Sequence, residues 1–269
     1  MHIHNIINPA LEKAADNGYI TRNPAAKVDK KRILKLVPTR VPRPLNAEEV
    51  GRYLQNVSHR RLSSLFILDL CTGMRRGELL GLHWADIDHE NREIKLERQI
   101  QRVQNVDGPG SYLGYTGLKT QKSQRTIKLP LLAYNELMAH KERQGQEKAE
   151  AGKGYKDEDL IFCTAIGTKL DPRRVYDIHC QTLVKANIKH IAFHDLRHTV
   201  ATLLLQAGES TKSIQELLGH SDIRTTLGTY AHVLDEMKAA TAEKLDGITS
   251  EAYSMVKPDK SLNTTDNNS

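Results

Sequence analysis

Three short runs between residues 93 and 129, Glu93–Leu96, Ile100–Val103 and Arg125–Leu129, alternate apolar and polar side chains with a period of two; on both sides of them apolar residues recur at helical spacing. A period of two sends successive side chains to opposite faces of a strand, whereas spacing of three and four collects them in one stripe along a helix. A chain patterned this way is expected to be an α+β fold: a mainly helical domain carrying one small antiparallel sheet. The Gly-rich stretch 107–117 then reads as the sheet's long loop.

The helical segments carry their own start and stop signals. Asn46 followed by Glu49 has the form of a capping box opening a helix through Leu54, and a more apolar helix runs from about Leu62 to Cys71 before Gly73 ends it. After Pro130 a helix is expected through about Arg143. The polar run QGQEKAEAGKGYKDED reads as a surface loop, and Leu160–Cys163 as one more short strand. Four short helices follow near 172–186, 195–207, 211–218 and 222–230, separated by Gly208, Gly219 and the caps Ser210 and Asp222, with a closing helix at about 235–245. The domain organisation expected is therefore a main domain over 45–248 and a Ser-, Asn-, Asp- and Thr-rich disordered tail over 249–269. Ahead of it, Ile3, Ile6, Ile7, Ala10, Leu11, Ala14 and Ala15 mark one amphipathic helix stopped by Gly18 and Asn23-Pro24, and residues 27–44, with three prolines, read as an extended basic linker.

Composition narrows the partner more than the chemistry. Lys plus Arg number 39 against 33 Asp plus Glu, a formal charge of +6 that favours a polyanion. The cysteines Cys71, Cys163 and Cys180 have no metal-type spacing, as expected of reduced thiols in a cytosolic protein. No apolar run approaches the roughly 18 residues that would span a bilayer, so no membrane partner is expected.

Four polar clusters interrupt these apolar patterns, each at a helix end or turn. Thr72-Gly73-Met74-Arg75-Arg76-Gly77-Glu78 places two arginines at a helix junction, with Glu78 three residues beyond Arg75 and on its face. A guanidinium there can fork two donors onto a phosphate while the carboxylate orients it. Leu118 to Arg125 is a polar turn between strands that offers Lys119 and Lys122 as mobile proton donors. In Phe193-His194-Asp195-Leu196-Arg197-His198-Thr199, His194 and Arg197 share a helical face. His194 and His198 are also spaced as in a zinc HExxH pair, but Asp195 is a shorter arm than Glu and Arg197 between them would repel a cation, so His198 reads as a packing or supporting residue. The fourth cluster joins Leu217-Leu218-Gly219-His220-Ser221 to Thr225-Thr226-Leu227-Gly228-Thr229-Tyr230-Ala231-His232, with His220 just past a helix stop.

In this order Arg75, Lys119, His194, Arg197, His220 and Tyr230 resemble the six active-site positions of the tyrosine recombinases, the phage integrase family, over roughly residues 45–245. The strings TGMRRGELL, HDLRHT, LGHS and TTLGTYAH are similar to that family's wording, and the resemblance selects Arg75 over Arg76 and Lys119 over Lys122. It implies a site-specific DNA recombinase or integrase of the phage or conjugative-transposon kind, acting in the cytoplasm on double-stranded DNA recombination sites without metal or nucleotide cofactor. Arg75 and Arg197 would clamp the nonbridging oxygens with His220, His194 would assist proton transfer from Tyr230, and Lys119 would protonate the leaving 5′-oxygen. It further implies a homotetramer on DNA, accessory DNA-bending or directionality proteins, and a C-terminal helix, with Val233, Met237 and Ala240, that is passed to a neighbouring protomer or packs in cis. Residues 1–26 are similar to the last helix of a core-binding domain. A noncatalytic DNA-binding remnant of such an integrase is the competing expectation, and a type IB topoisomerase a more distant one.

Overall fold

The computed structural model describes residues 2–28, 42–105, 108–118, 124–219, 230 and 242–251. The chain divides into two compact units, Met1–Val41 and Pro42–Ser269. In the first, α1 (His2–Asp16) is met by the turn that follows it: the Asn23 amide donates to the backbone oxygen and side-chain oxygen of Asn8, both at 3.2 Å, and His4 Nε2 lies 3.1 Å from the Ala25 carbonyl. The helix forms and stops as expected, but Ile3, Ile6 and Ile7 of its stripe are exposed.

The second unit is built around α3 (Ser63–Thr72), which is apolar on nearly every face and accordingly buried on nearly every face. Helices α2 (Ala47–Val57), α5 (Leu131–Ala151) and α7 (Asp195–Gln206) pack on it. The capping box at the start of α2 forms as the spacing predicts: Glu49 N–H donates to Asn46 Oδ1 at 2.8 Å and the Asn46 N–H to Glu49 Oε2 at 3.2 Å. Gly73 ends α3 in the left-handed region at φ 62°, and a side chain there would meet Leu218 Cδ2 at 2.6 Å. Only glycine satisfies both the turn and that close approach.

The β structure is richer than expected. Strands β1 (Ile87–Asp88), β2 (Glu93–Leu96) and β5 (Arg125–Lys128) form one antiparallel sheet in which Ile94 faces Ile127, and β3 (Arg98–Gln104) pairs with β4 (Ser111–Gly117) in a separate hairpin. The stretch 107–117 is thus not a loop beyond residue 110. Its glycines hide a strand whose support is the register with β3, including Gly114 opposite Gln101, and strand preference is set by such cross-strand packing more than by composition.

The run 144–151, expected as loop, continues α5. Its Gln, Glu, Lys and Ala residues are good helix formers, and three contacts anchor it. Gln144 accepts from the Trp84 indole at 2.6 Å and donates to the Leu160 carbonyl at 2.8 Å, while Glu147 takes both arms of Arg61 at 2.5 Å. Leu160–Cys163 forms bridges rather than a named strand. Helices α6 (Pro172–Lys185), α7 and α8 (Thr211–Leu218) match their expected bounds within a residue or two. The expected helix 222–230 lies outside the described residues up to 229; of the closing helix, 242–251 is helical as α9, so the tail expected from 249 begins inside a helix, and 252–269 lie outside the described residues.

A buried histidine contributes to the acid sensitivity of the fold. His179 of α6 donates from Nε2 to the Ile191 carbonyl at 3.1 Å, which leaves Nδ1 to accept from the Tyr53 hydroxyl at 2.9 Å. Burial holds its pKa down to about 4, from an ordinary 6.5. Because the unfolded chain takes up a proton that the folded one refuses, stability is lost as pH falls through the window from about 6.5 to 4. Urea midpoints measured from pH 7 to 5 should fall for the wild type and fall less steeply for His179→Gln; parallel slopes would show that His179 does not set this dependence.

Candidate active site

The C-terminal end of α8 organises the site. Gly219 N–H closes onto the Gln215 and Glu216 carbonyls, and the next three carbonyls, of Leu217, Leu218 and Gly219, lie at the end that carries the negative pole of the helix dipole. Each is taken by a different arginine. Arg125 Nε donates to Leu217 O at 2.7 Å, Arg197 Nη2 to Leu218 O at 2.5 Å, and Arg75 Nη2 to Gly219 O at 3.2 Å. Arg197 also donates through Nη1 to Gly73 O at 2.7 Å, so one guanidinium, 2% exposed, links the end of α3 to the end of α8.

Glu78, in α4 (Arg76–Leu80), is the carboxylate beneath them. Its Oε1 accepts from Arg75 Nη1 at 2.6 Å, and its Oε2 from the Arg75 backbone N–H at 2.9 Å and Arg125 Nη2 at 3.0 Å. Burial raises its pKa, but the Arg125 and Arg75 charges and hydrogen bonds outweigh that and hold it below the ordinary value. Asp69, fully buried below, is pushed well above its ordinary value by burial, opposed by Arg197 and reinforced by Glu78. The guanidiniums of Arg75, Arg125 and Arg197 meet at this helix end, and Arg197 feels the crowding: burial first and the Arg75 charge second bring it down to about 9. A pocket lined by guanidiniums held in place this way is preorganised for an anion.

Helix α7 supplies the imidazoles. His194 stands at its N-cap position as an exposed residue, and partial desolvation, followed by the charges of His198, Arg197 and Arg75, holds its pKa down to about 4; its ring is neutral at pH 7. The ring of His198, one turn on, meets it edge to face at 5.2 Å. Tyr230 is 2% exposed and packs against Ala201, Leu205, Ile214 and Leu218. Burial raises its pKa to about 12, opposed by Arg197 and reinforced by Asp195, so the phenol is protonated, and its oxygen lies 2.7 Å from His198 Nδ1.

Of the six residues singled out in the sequence, the structure therefore brings Arg75, His194, Arg197 and Tyr230 into one cluster. Lys119 and His220, like the alternative Lys122, lie outside the described residues. Arg75 rather than Arg76 turns toward α8; Arg76 reaches the Pro172 carbonyl instead. Two members were not among the six. Arg125 was read as the end of a polar turn and the start of a strand, and His198 as a packing or supporting residue; the adjacency of His198 to Arg197 and its position one turn after His194 were the available signal.

Residues 43–237 match the phage integrase family. The chain belongs to that family. It is 33% identical over 257 residues to a tyrosine recombinase XerC-like protein of Caldanaerobacter subterraneus subsp. tengcongensis, covering 91% of this chain and 65% of the relative. With the integrase of Staphylococcus phage L54a it shares 32% identity over 180 residues, 65% of this chain and 49% of that one. The chain thus spans about half to two thirds of the length of these family members. Among solved structures, a variant of the Tn1549 transposon integrase in complex with transposon right end DNA matches with a TM-score of 0.70 at 24% identity, over 90% of this chain and 77% of that chain. The XerA recombinase matches at 0.57 and 23%, over 77% and 68%. The mainly helical fold with small antiparallel sheets is thus the phage integrase family's catalytic fold.

Proposed function

We propose that this phage integrase family member cleaves and rejoins DNA through a covalent 3′-phosphotyrosine at Tyr230, as a site-specific recombinase. The observation that carries the reading is the meeting of Arg75 and Arg197 at one helix end with a buried phenol in the field of Arg197. A phosphodiester repels nucleophiles through its anionic oxygens, and its transition state concentrates more charge there, so positioned cations are the main requirement. Arg75 and Arg197, with His220, hold the nonbridging oxygens. Tyr230 attacks phosphorus while its proton passes to the histidine pair of α7, and the 5′-oxygen leaves with a proton from Lys119. The phosphotyrosine bond keeps the phosphodiester energy, so a second 5′-hydroxyl reverses the step.

In this reading residues 45–248 are the catalytic domain, 27–44 a basic linker along the phosphate backbone, and 1–26 the last helix of a core-binding domain. The partners are double-stranded recombination sites in the cytoplasm and three further copies of the chain, with accessory bending or directionality proteins. Helix α9 is exposed throughout and shows Leu245 and Ile248 three apart at 59% and 66% exposure, as suits a segment handed to a neighbouring protomer.

Two experiments test this. A duplex selected for binding from randomised sequence and nicked beside the cleaved bond should trap a covalent adduct whose tryptic peptide carries a nucleotide on Tyr230; a trapped peptide that lacks Tyr230 would reject the assignment. Deleting 235–269 should leave DNA contact by one protomer within about threefold while assembly of higher complexes in a gel-shift series falls roughly tenfold or more, as expected of an interface element. Equal loss of both would reject the exchange of the C-terminal segment.

A further inference from the structure

Arg125 begins β5, and nothing in the chemistry above uses it. Its side chain is 9% exposed, against 35% for Arg75. Its contacts tie it to the same carboxylate and the same helix end as Arg75. It shares Glu78, through Nη2 to Oε2 at 3.0 Å and Nη1 to Oε1 at 3.4 Å, and it binds Leu217 O of the same helix end where Arg75 binds Gly219 O. The fit depends on Gly219: a side chain there, in a backbone at φ 64°, would come within 2.9 Å of Arg125 Nη1 and 3.2 Å of its Cδ. One guanidinium thereby locks three pieces, the strand β5, the end of α8 and Glu78.

We propose that Arg125 is a positioning residue for the phosphate clamp: it shares Glu78 and pins the α8 terminus so that Arg75 stands outward toward the scissile phosphate, and it does not itself touch the DNA. A buried carboxylate shared by two guanidiniums leaves each partly uncompensated. Without Arg125, Glu78 draws Arg75 into an exclusive pair and its charge is withheld from the substrate. Lysine cannot replace it, because one ammonium does not span Leu217 O and both Glu78 oxygens as a planar fork does.

The inference rests on the cleavage reading, and the test separates the two. Single-turnover adduct formation is measured at saturating nicked DNA for the wild type, Arg125→Lys and Arg125→Gln, on a natural phosphate and on a methylphosphonate at the scissile position. The methyl group removes the anionic charge that the clamp serves. Arg125→Gln should lose about 100-fold in rate on phosphate, the scale of a misplaced reacting group. The loss should shrink to less than about fivefold on methylphosphonate, since little charge remains to be stabilised there. Arg125→Lys, which keeps the charge and the fold, should show the same pattern to a smaller degree, with DNA affinity within about threefold for both variants, as expected when no phosphate contact is lost. Equal losses on both substrates, a fall in affinity that matches the fall in rate, or no loss would overturn the inference while leaving the cleavage reading intact. A wild type that forms no adduct on either DNA would overturn both.

Discussion

Tyr230→Phe should bind DNA as the wild type does and form no covalent adduct. The substitution removes one oxygen and leaves the ring against Ala201, Leu205, Ile214 and Leu218, so packing is conserved. The lost hydrogen bond to His198 Nδ1 costs about 1 kcal/mol of stability, small beside the total. Rate is another matter, because loss of a nucleophile in covalent catalysis removes about 10⁴-fold or more. The contrast between unaltered gel shift and absent adduct also separates the enzyme from a noncatalytic DNA-binding protein, in which wild type and variant would behave alike. If the adduct persists in Tyr230→Phe, another residue is the nucleophile.

The second large effect is expected at Arg197, where the proposed clamp and the scaffold are one side chain. Arg197→Ala leaves Gly73 O and Leu218 O buried without their donors, at about 1–3 kcal/mol each, so a clear fall in melting temperature should accompany loss of cleavage. Arg197→Lys separates the two roles. An ammonium keeps the charge between α3 and α8 but cannot serve both carbonyls and still present a fork to the substrate. A folded protein should result whose cleavage rate is about 10² to 10³-fold lower, the range for removing one preorganised donor. A lysine variant with unaltered single-turnover rate would show that Arg197 braces the helices and does not meet the phosphate.

How much of this could be seen beforehand depends on the range of the interaction concerned. The capping box of Asn46 and Glu49 and the stops at Gly73 and Gly219 act over three or four residues, so spacing exposes them. Arg75, Arg197 and Tyr230 stood out because their motifs are local too. Strand β4 did not, since its glycines weaken any propensity signal and only the register with β3 holds it extended. The extension of α5 was hidden for the opposite reason: its polar residues form helix well, but the contacts of Gln144 and Glu147 with Trp84, Leu160 and Arg61 are distant in sequence.

By itself the amino-acid order determined the helical segments, most of their ends, the family and the motifs that carry Arg75, His194, Arg197 and Tyr230, because each depends on neighbours within a turn or two of chain. The tertiary structure alone decided that three arginines share one helix end and two of them one carboxylate, and that the Tyr230 hydroxyl rests on His198. Those bonds join residues 92 positions apart for Arg125 with Leu217 and 32 apart for His198 with Tyr230. No local periodicity encodes them, since they exist only once α3, α7 and α8 have packed.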